Sequence, residues 1–289
     1  MAAPKCPYCG TINSIGESHC HQCQQPLPGP LGRASRDLVQ SLLGRELWVT
    51  KLFIGINVAS FALMLLDNSR AEGAGLPLGF GGGGGLQGSS MLRAGVLHQI
   101  VVGEWWRFLS AVFFHFSFLH ILFNMMWLGS LGRSLEPELG TSRFTITYLL
   151  SGIGGFIGNL LLGPMPLTGG ASGSVFGLFG CLVGYSLGRK NSLWRDHLSR
   201  LILFVVLSWL IGGGMGGGGV NNVAHVGGAL VGVAMGYLFG VERRYPLTHR
   251  VLNYVAMLGV AAVVASLVLS QLSPVWGYMR DAESQEDQW

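Results

Sequence analysis

Residues 169–188 have the sequence GGASGSVFGLFGCLVGYSLG. It contains no charged residue, and glycine recurs in it about every four positions. The stretch NVAHVGGALVGVAMGYLFG, residues 222–240, also lacks Asp, Glu, Lys and Arg and also repeats glycine every four positions. Small residues at this spacing let two helix backbones approach closely inside a membrane. The two stretches are therefore predicted to form a tightly packed helix pair, in which Ser172 and His225 would meet.

The composition of the whole chain indicates a membrane protein. Of its 289 residues 49% are hydrophobic and 11% are charged, whereas soluble globular domains contain about 25% charged residues. Unsatisfied backbone groups are costly in lipid, so apolar runs long enough to cross it, about 20 residues, are expected to be helical. The sequence predicts an all-α polytopic protein with seven spans, the fifth of them short: Leu47–Leu66, Phe116–Leu131, Phe144–Leu162, Ser172–Leu187, Leu201–Met215, Asn222–Leu238 and Val251–Leu269.

Basic residues are concentrated on one side of the predicted spans. They are Arg33, Arg36, Arg45, Arg133, Arg143, Arg189, Lys190, Arg195, Arg200, Arg243, Arg244 and Arg250. Because Lys and Arg collect on the cytoplasmic side of membrane helices, we expect the amino terminus inside and the carboxyl terminus outside. Spans two, four and six then run from outside to inside, which places the following residues at a similar depth toward the outer face: His120, Asn124, Ser172 and His225.

Four of the five cysteines form two pairs before the first span, in Cys6-Pro7-Tyr8-Cys9 and Cys20-His21-Gln22-Cys23. Two such pairs suit tetrahedral zinc, and a site of four thiolates is closed and structural. Two disulfides are the alternative, but thiols stay reduced in the cytoplasm, where the charge distribution places this segment. The sequence predicts a zinc-ribbon-like module with Cys6, Cys9, Cys20 and Cys23 as ligands, and with His19 and His21 as substitutes.

Such a module could bind a partner in the cytoplasm. No nucleic-acid partner is predicted. The fifth cysteine, Cys181, lies in span four. We expect it to be a packed apolar residue, because no neighbouring group would stabilise a thiolate.

Polar residues inside the predicted spans are the candidates for function, since ionisable groups in lipid are costly. His120 and Asn124 lie four residues apart on one face of span two, Ser172 opens span four, and His225 lies in span six. A serine beside a histidine is a nucleophile with its general base, and Asn and His side chains can donate to an oxyanion. These spans contain no Asp or Glu, so a dyad is expected. The alternatives are a serine that bonds to its own helix turn and a histidine that carries protons in a transporter.

Four motifs resemble those of the rhomboid intramembrane serine proteases: Gly-Ala-Ser-Gly at 170–173, Ala-His-Val-Gly-Gly at 224–228, His-x4-His-x3-Asn at 115–124 and Trp-Trp-Arg at 105–107. The resemblance covers about residues 48–245. It implies that Ser172 is the nucleophile and His225 the base. It also implies that oxyanion binding and support of the site come from His120, Asn124, the Ser172 backbone amide, Gly173, Phe176 and His115. Many relatives have Tyr at the position of Phe176, and Arg107 and Glu136 match positions linked to fold stability.

The resemblance implies an endopeptidase that cleaves transmembrane helices of other membrane proteins through an acyl-enzyme, without a catalytic cofactor. The expected organisation is a zinc-ribbon-like module at 1–28, a linker at 29–46, a six-helix core at 47–245, and a seventh transmembrane helix with an acidic tail at 246–289. The Gly-rich segment Gly212–Gly219 is expected to be a linker or a movable cap over the site. A non-catalytic membrane chaperone or adaptor of the same fold, or a transporter, is the alternative function.

Overall fold

The computed structural model describes residues 6, 11–14, 17–24, 27, 47–68, 103–162, 168–214, 220–242 and 246–273. Their main elements are α1 (Trp48–Asn68), α2 (Arg107–Ser110), a 3-10 turn (Ala111–Phe113), α3 (Phe118–Leu139), α4 (Thr141–Leu162), α5 (Ser172–Gly188), α6 (Trp194–Gly214), α7 (Asn222–Val241) and α8 (Pro246–Leu272). The predicted all-helical class is confirmed for this part of the chain. Cys9, residues 29–46 and the acidic tail lie outside the described residues.

Several helices present an apolar surface of the kind that lipid covers. Four are long and apolar enough to cross a membrane, over Trp48–Leu66, Thr141–Leu162, Asn222–Val241 and Arg250–Leu272, and the bent pair Arg107–Phe113 with Phe118–Leu139 would make a fifth. Large side chains such as Leu162 on α4 and Leu258 on α8 are 81% and 70% exposed. Apolar surface of this extent is typical of a membrane-facing protein. The chain is therefore a multi-pass membrane protein.

The other two predicted spans, the fourth and the fifth, are α5 and α6. Helix α5 has 17 residues, most of them buried, so protein rather than lipid surrounds it. Helix α6 begins at Trp194, about two turns before the predicted start at Leu201, and its first two turns carry Arg195, Asp196 and Arg200. With 17 residues, α5 is shorter than any of the candidate spans.

Glycines form the contact between α5 and α7. A Cβ atom on Gly228 would overlap the carbonyl oxygen of Gly173, and one on Gly232 would overlap that of Gly177. Farther along the pair, Gly236 faces the carbonyl oxygen of Cys181 in the same way. The absence of side chains is what lets the two backbones touch, and the predicted close packing of this pair is confirmed.

A buried carboxylate joins α1 to α3. Glu136, on α3, accepts from the backbone amides of Val49 at 3.1 Å and Thr50 at 2.9 Å, and from the Thr50 hydroxyl at 2.6 Å. Amides in the first turn of a helix have no partner within that helix. Glu136 therefore caps α1, in agreement with a role in stability.

Helix α8, which the sequence predicts as the seventh span, packs along α4 and reaches α2. Near its beginning Asn253 accepts a hydrogen bond from Ser142, the second residue of α4. Near its end the Ser270 and Ser110 hydroxyls lie 2.7 Å apart, and Ser273 donates to Glu104. These contacts at both ends attach α8 to the helices before the site.

Candidate active site

Ser172 is the first residue of α5, and the turn that precedes it is held by two other segments. Gly170 has a φ of +115°, a conformation that glycine adopts at little cost. Its amide donates to the Ala111 carbonyl at 2.8 Å, and the Ala171 amide donates to Nε2 of buried His115 at 3.3 Å. The position of Ser172 therefore depends on the 3-10 turn and on His115.

His225 lies in the first turn of α7 and is 6% exposed. Its ring stacks on Phe176, with the ring centroids 4.2 Å apart and the planes inclined by 12°. Phe176 follows Ser172 by one helical turn and lies on the same face of α5, so the stack holds the imidazole beside the turn that begins with Ser172. Within the described residues no hydrogen bond joins the Ser172 hydroxyl to His225. In resting catalytic sites this bond is often long and tightens only with substrate.

Asn221 fixes the beginning of α7. Its side-chain oxygen accepts from the Ala224 amide at 3.0 Å, which caps the helix. Its side-chain nitrogen donates to Asn159 Oδ1 at 2.8 Å and to the Thr168 hydroxyl at 2.9 Å. The start of the helix that carries His225 is therefore tied both to α4 and to the segment before Ser172.

His120 and Asn124 both lie on α3, next to the same turn. The His120 ring lies 4.9 Å from the His115 ring, centroid to centroid, and a Cβ on Gly170 would come within 2.7 Å of His120 Nε2. Asn124, 5% exposed, donates from its side-chain nitrogen to the His120 carbonyl at 2.9 Å. An amide nitrogen has two protons to donate, so the second one is available to another acceptor.

Comparison with known proteins identifies the family. A family model described as the Rhomboid domain matches residues 102–242. YdcA of Bacillus subtilis (strain 168), whose name places it in the same family, is 36% identical over 149 residues, which are 50% of this chain and 72% of YdcA.

The chain belongs to the rhomboid family.

Two further rhomboid relatives are named as proteases. Rhomboid protease GluP of Bacillus subtilis is 27% identical over 214 residues, 73% of this chain and 39% of GluP. Rhomboid protease GlpG of Salmonella newport (strain SL254) is 32% identical over 144 residues, 49% of this chain and 51% of GlpG. The match thus spans less than two thirds of the length of either relative. Homology to rhomboid proteases is established, and the matched region contains all the site residues described above.

The amino-terminal cysteines lie outside the matched rhomboid region and form a second cluster. The sulfur atoms of Cys6, Cys20 and Cys23 all lie within 4.8 Å of one another, and Cys6 and Cys20 are buried. Cys9 is outside the described residues. His19 and His21 are not members of the cluster, and both are exposed. Three thiols at this spacing have the chemistry and the geometry to hold a metal ion.

Cys181 is fully buried in α5, in agreement with the predicted role of a packed apolar residue. The candidate site also includes residues to which the sequence motifs assign no role: Asn221, Asn159, Thr168 and Ser208. The Ser208 hydroxyl, on α6, lies 3.3 Å from His225 Nδ1. A signal existed for Asn221, because Asn is favoured at the residue that caps a helix. The sequence around Ser208 does not distinguish it, since a lone serine in an apolar helix ordinarily bonds to its own backbone.

Proposed function

We propose that this rhomboid is an intramembrane serine endopeptidase with Ser172 as nucleophile and His225 as general base. The observation that carries the proposal is the stack of His225 on Phe176, one helical turn from Ser172. Homology to rhomboid proteases gives the same reaction class. The proposed substrates are transmembrane helices of other membrane proteins.

In the proposed reaction His225 removes the proton of the Ser172 hydroxyl while the oxygen bonds to the carbonyl carbon of the scissile peptide. The imidazolium then gives this proton to the leaving amine as the carbon–nitrogen bond breaks, and an acyl-enzyme remains. Water, deprotonated by His225, releases the acyl group and restores both side chains. A carbonyl can be attacked only where the substrate helix is unwound, because an intact helix uses its carbonyls in hydrogen bonds.

The oxyanion formed in each step needs donors placed in advance. We assign this role to the second amide proton of Asn124, to His120 and to the backbone amide of Ser172, with Gly173 leaving room for the approach. His115 supports the turn before Ser172, because its Nε2 accepts a hydrogen bond from the Ala171 amide. Phe176 holds the plane of the His225 ring.

We further propose seven spans in total, with a six-helix core at 47–245 and α8 as the seventh, the amino terminus inside and the carboxyl terminus outside. Helices α5 and α6 would cross within the bundle. The distribution of Arg and Lys supports this orientation. Cysteine-accessibility labelling at Ser192, expected inside, and at Ser284, expected outside, tests it. Labelling of Ser192 from the outside would contradict the orientation.

For the amino-terminal module, residues 1–28, we propose structural zinc bound by Cys6, Cys20 and Cys23, with Cys9 as the fourth ligand. A backbone hydrogen bond joins the Cys6 amide to the Thr11 carbonyl at 2.7 Å, and another, from the Gln24 amide to the Cys20 carbonyl at 2.8 Å, closes the turn that contains Cys20 and Cys23. Zinc would hold these turns together, and the module would then offer a cytoplasmic partner a stable surface.

The experiment for the proposed activity measures cleavage of a transmembrane substrate in proteoliposomes together with labelling by a fluorophosphonate probe. Ser172→Ala and His225→Ala should each abolish both signals, since nucleophile and base act as a unit. Ser174→Ala is the matched control, because Ser174 lies in the same turn and its buried hydroxyl has no hydrogen-bond partner in the described structure. Normal cleavage by folded Ser172→Ala would overturn the assignment, and substrate binding without cleavage by the unmodified protein would favour a chaperone.

A further inference from the structure

Ser208, on α6, is a hydrogen-bond partner of the imidazole of His225. Its hydroxyl oxygen lies 3.3 Å from His225 Nδ1. The same oxygen lies 2.6 Å from Asn222 Oδ1 and 3.0 Å from the Val205 carbonyl oxygen. Ser208 therefore links α6 to the first turn of α7, on the side of the ring that carries Nδ1.

The number of protons at Ser208 decides the direction of these bonds. A hydroxyl has one proton to donate and two lone pairs that accept, whereas both the Asn222 oxygen and the Val205 carbonyl can only accept. The Asn222 oxygen, at 2.6 Å, is the nearest of the three possible acceptors and takes the Ser208 proton, so Ser208 offers a lone pair to Nδ1. His225 must then donate from Nδ1.

A neutral imidazole carries a proton on one nitrogen and a lone pair on the other. With the proton on Nδ1, the lone pair lies on Nε2. A general base needs this lone pair in order to accept the proton of the serine nucleophile. The contacts of Ser208 thus select the form of His225 that can react.

We propose that Ser208 is a positioning residue which, with its own proton held by Asn222, keeps His225 in the tautomer that can deprotonate Ser172. This inference rests on the proposed Ser172–His225 protease. In serine proteases with a triad a buried Asp has this role, and its replacement by Asn lowers kcat about 10⁴-fold because the wrong tautomer forms. A hydroxyl orients the ring without stabilising its positive charge, so its loss should cost less.

A serine in a helix commonly bonds to its own backbone, and α6 contains a control for that role. The Ser199 hydroxyl donates to the Asp196 carbonyl at 2.9 Å, and Ser208 has the Val205 carbonyl oxygen in the corresponding position at 3.0 Å. Ser199 is exposed and lies more than two turns from Ser208 along α6. Comparing alanine substitutions at the two positions separates the effect on His225 from the effect of losing a helix serine.

The test uses the full-length protein in proteoliposomes with a transmembrane substrate. Ser208→Ala should lower kcat about tenfold and leave KM within about twofold, because only the orientation of the base changes. Ser208→Thr, which keeps a hydroxyl, should recover most of the activity. Ser199→Ala should cleave as the unmodified protein does.

Nitrogen NMR of the protein with ¹⁵N-labelled histidine measures the tautomer directly. We expect His225 of the unmodified protein to be protonated on Nδ1, and Ser208→Ala to shift part of the population to the Nε2-protonated form. Protonation on Nε2 in the unmodified protein would overturn the proposal, even if Ser208→Ala failed to fold. An unchanged kcat for folded Ser208→Ala would overturn it as well.

The outcomes for this inference and for the protease assignment are separate. Cleavage by Ser172→Ala would remove the protease assignment itself. Full activity of Ser208→Ala beside an inactive Ser172→Ala would remove only the role of Ser208.

Discussion

Replacing Gly232 by alanine tests whether the contact between α5 and α7 determines both stability and activity. The new Cβ would overlap the Gly177 carbonyl oxygen and lie 2.7 Å from Gly177 Cα. Carbon atoms in favourable contact are about 3.5–4.0 Å apart. The two helices must therefore separate by at least about 1 Å at this point.

The expected magnitudes follow from this displacement. Added volume in a close-packed interior costs about 1–3 kcal/mol, while the change from Gly to Ala within a helix returns at most about 1 kcal/mol. Because the overlapped atoms belong to the backbone and cannot rotate away, the cost should lie near the upper value, and the net loss of stability should be about 2 kcal/mol. Since His225 lies two turns before Gly232 on α7, a shift of about 1 Å should also lower kcat by as much as 10²-fold.

The assay compares thermal unfolding in detergent with substrate cleavage in proteoliposomes. Gly55→Ala is the matched control, because a Cβ at Gly55 on α1 would meet no atom within 4 Å. The control should keep the stability and activity of the unmodified protein or gain slightly in stability. A Gly232→Ala protein as stable and as active as the Gly55→Ala protein would refute the claim that direct backbone contact holds the site together.

Three further predictions concern other parts of the molecule. Asn124→Ala should leave a folded protein whose kcat in the cleavage assay is lower by about 10²–10³, the usual cost of losing one oxyanion donor; an unchanged kcat would exclude Asn124 from this role. Asn221→Ala should lower stability by about 1–3 kcal/mol in thermal unfolding, since it removes a helix cap together with the hydrogen bonds to Asn159 and Thr168; an unchanged melting temperature would contradict this. Metal analysis of the purified protein should find about one zinc per chain, lost on Cys20→Ser, whereas a metal-free protein with disulfides in that segment would contradict both the zinc site and the proposed orientation.

The close pairing of α5 and α7 could be predicted because its cause is local. Glycine about every four positions in two apolar stretches produces a flat helix face whatever lies elsewhere in the chain. The extents of the helices were harder to predict. Helix α6 begins at Trp194, ahead of the apolar run, and its first two turns carry the charged residues Arg195, Asp196 and Arg200, which give no apolar signal. Helix α3 continues to Leu139, past the predicted end at Leu131, and this extension carries the carboxylate of Glu136 to α1.

Some features of the site follow from local sequence, and others depend on contacts between residues far apart in the chain. The motifs around Ser172 and His225 name candidates for nucleophile and base, and the position of Phe176 one turn after Ser172 follows from helix periodicity. The stack of Phe176 on His225 requires that two helices meet at one particular register. The bond from Asn221 to Asn159 joins residues 62 positions apart, and no local pattern relates them.

The amino-acid sequence is sufficient to predict the membrane class, the helical architecture, the candidate residues of the site and the spacing of the amino-terminal cysteines. Each of these depends on composition or on periodicity within a single segment. The contacts of Ser208 on α6 with His225 Nδ1 and with Asn222 Oδ1 follow only from the way the helices pack. A serine in an apolar helix has the same local sequence whether it bonds to its own backbone or to another helix, because the packing of α6 against α7 selects its partner.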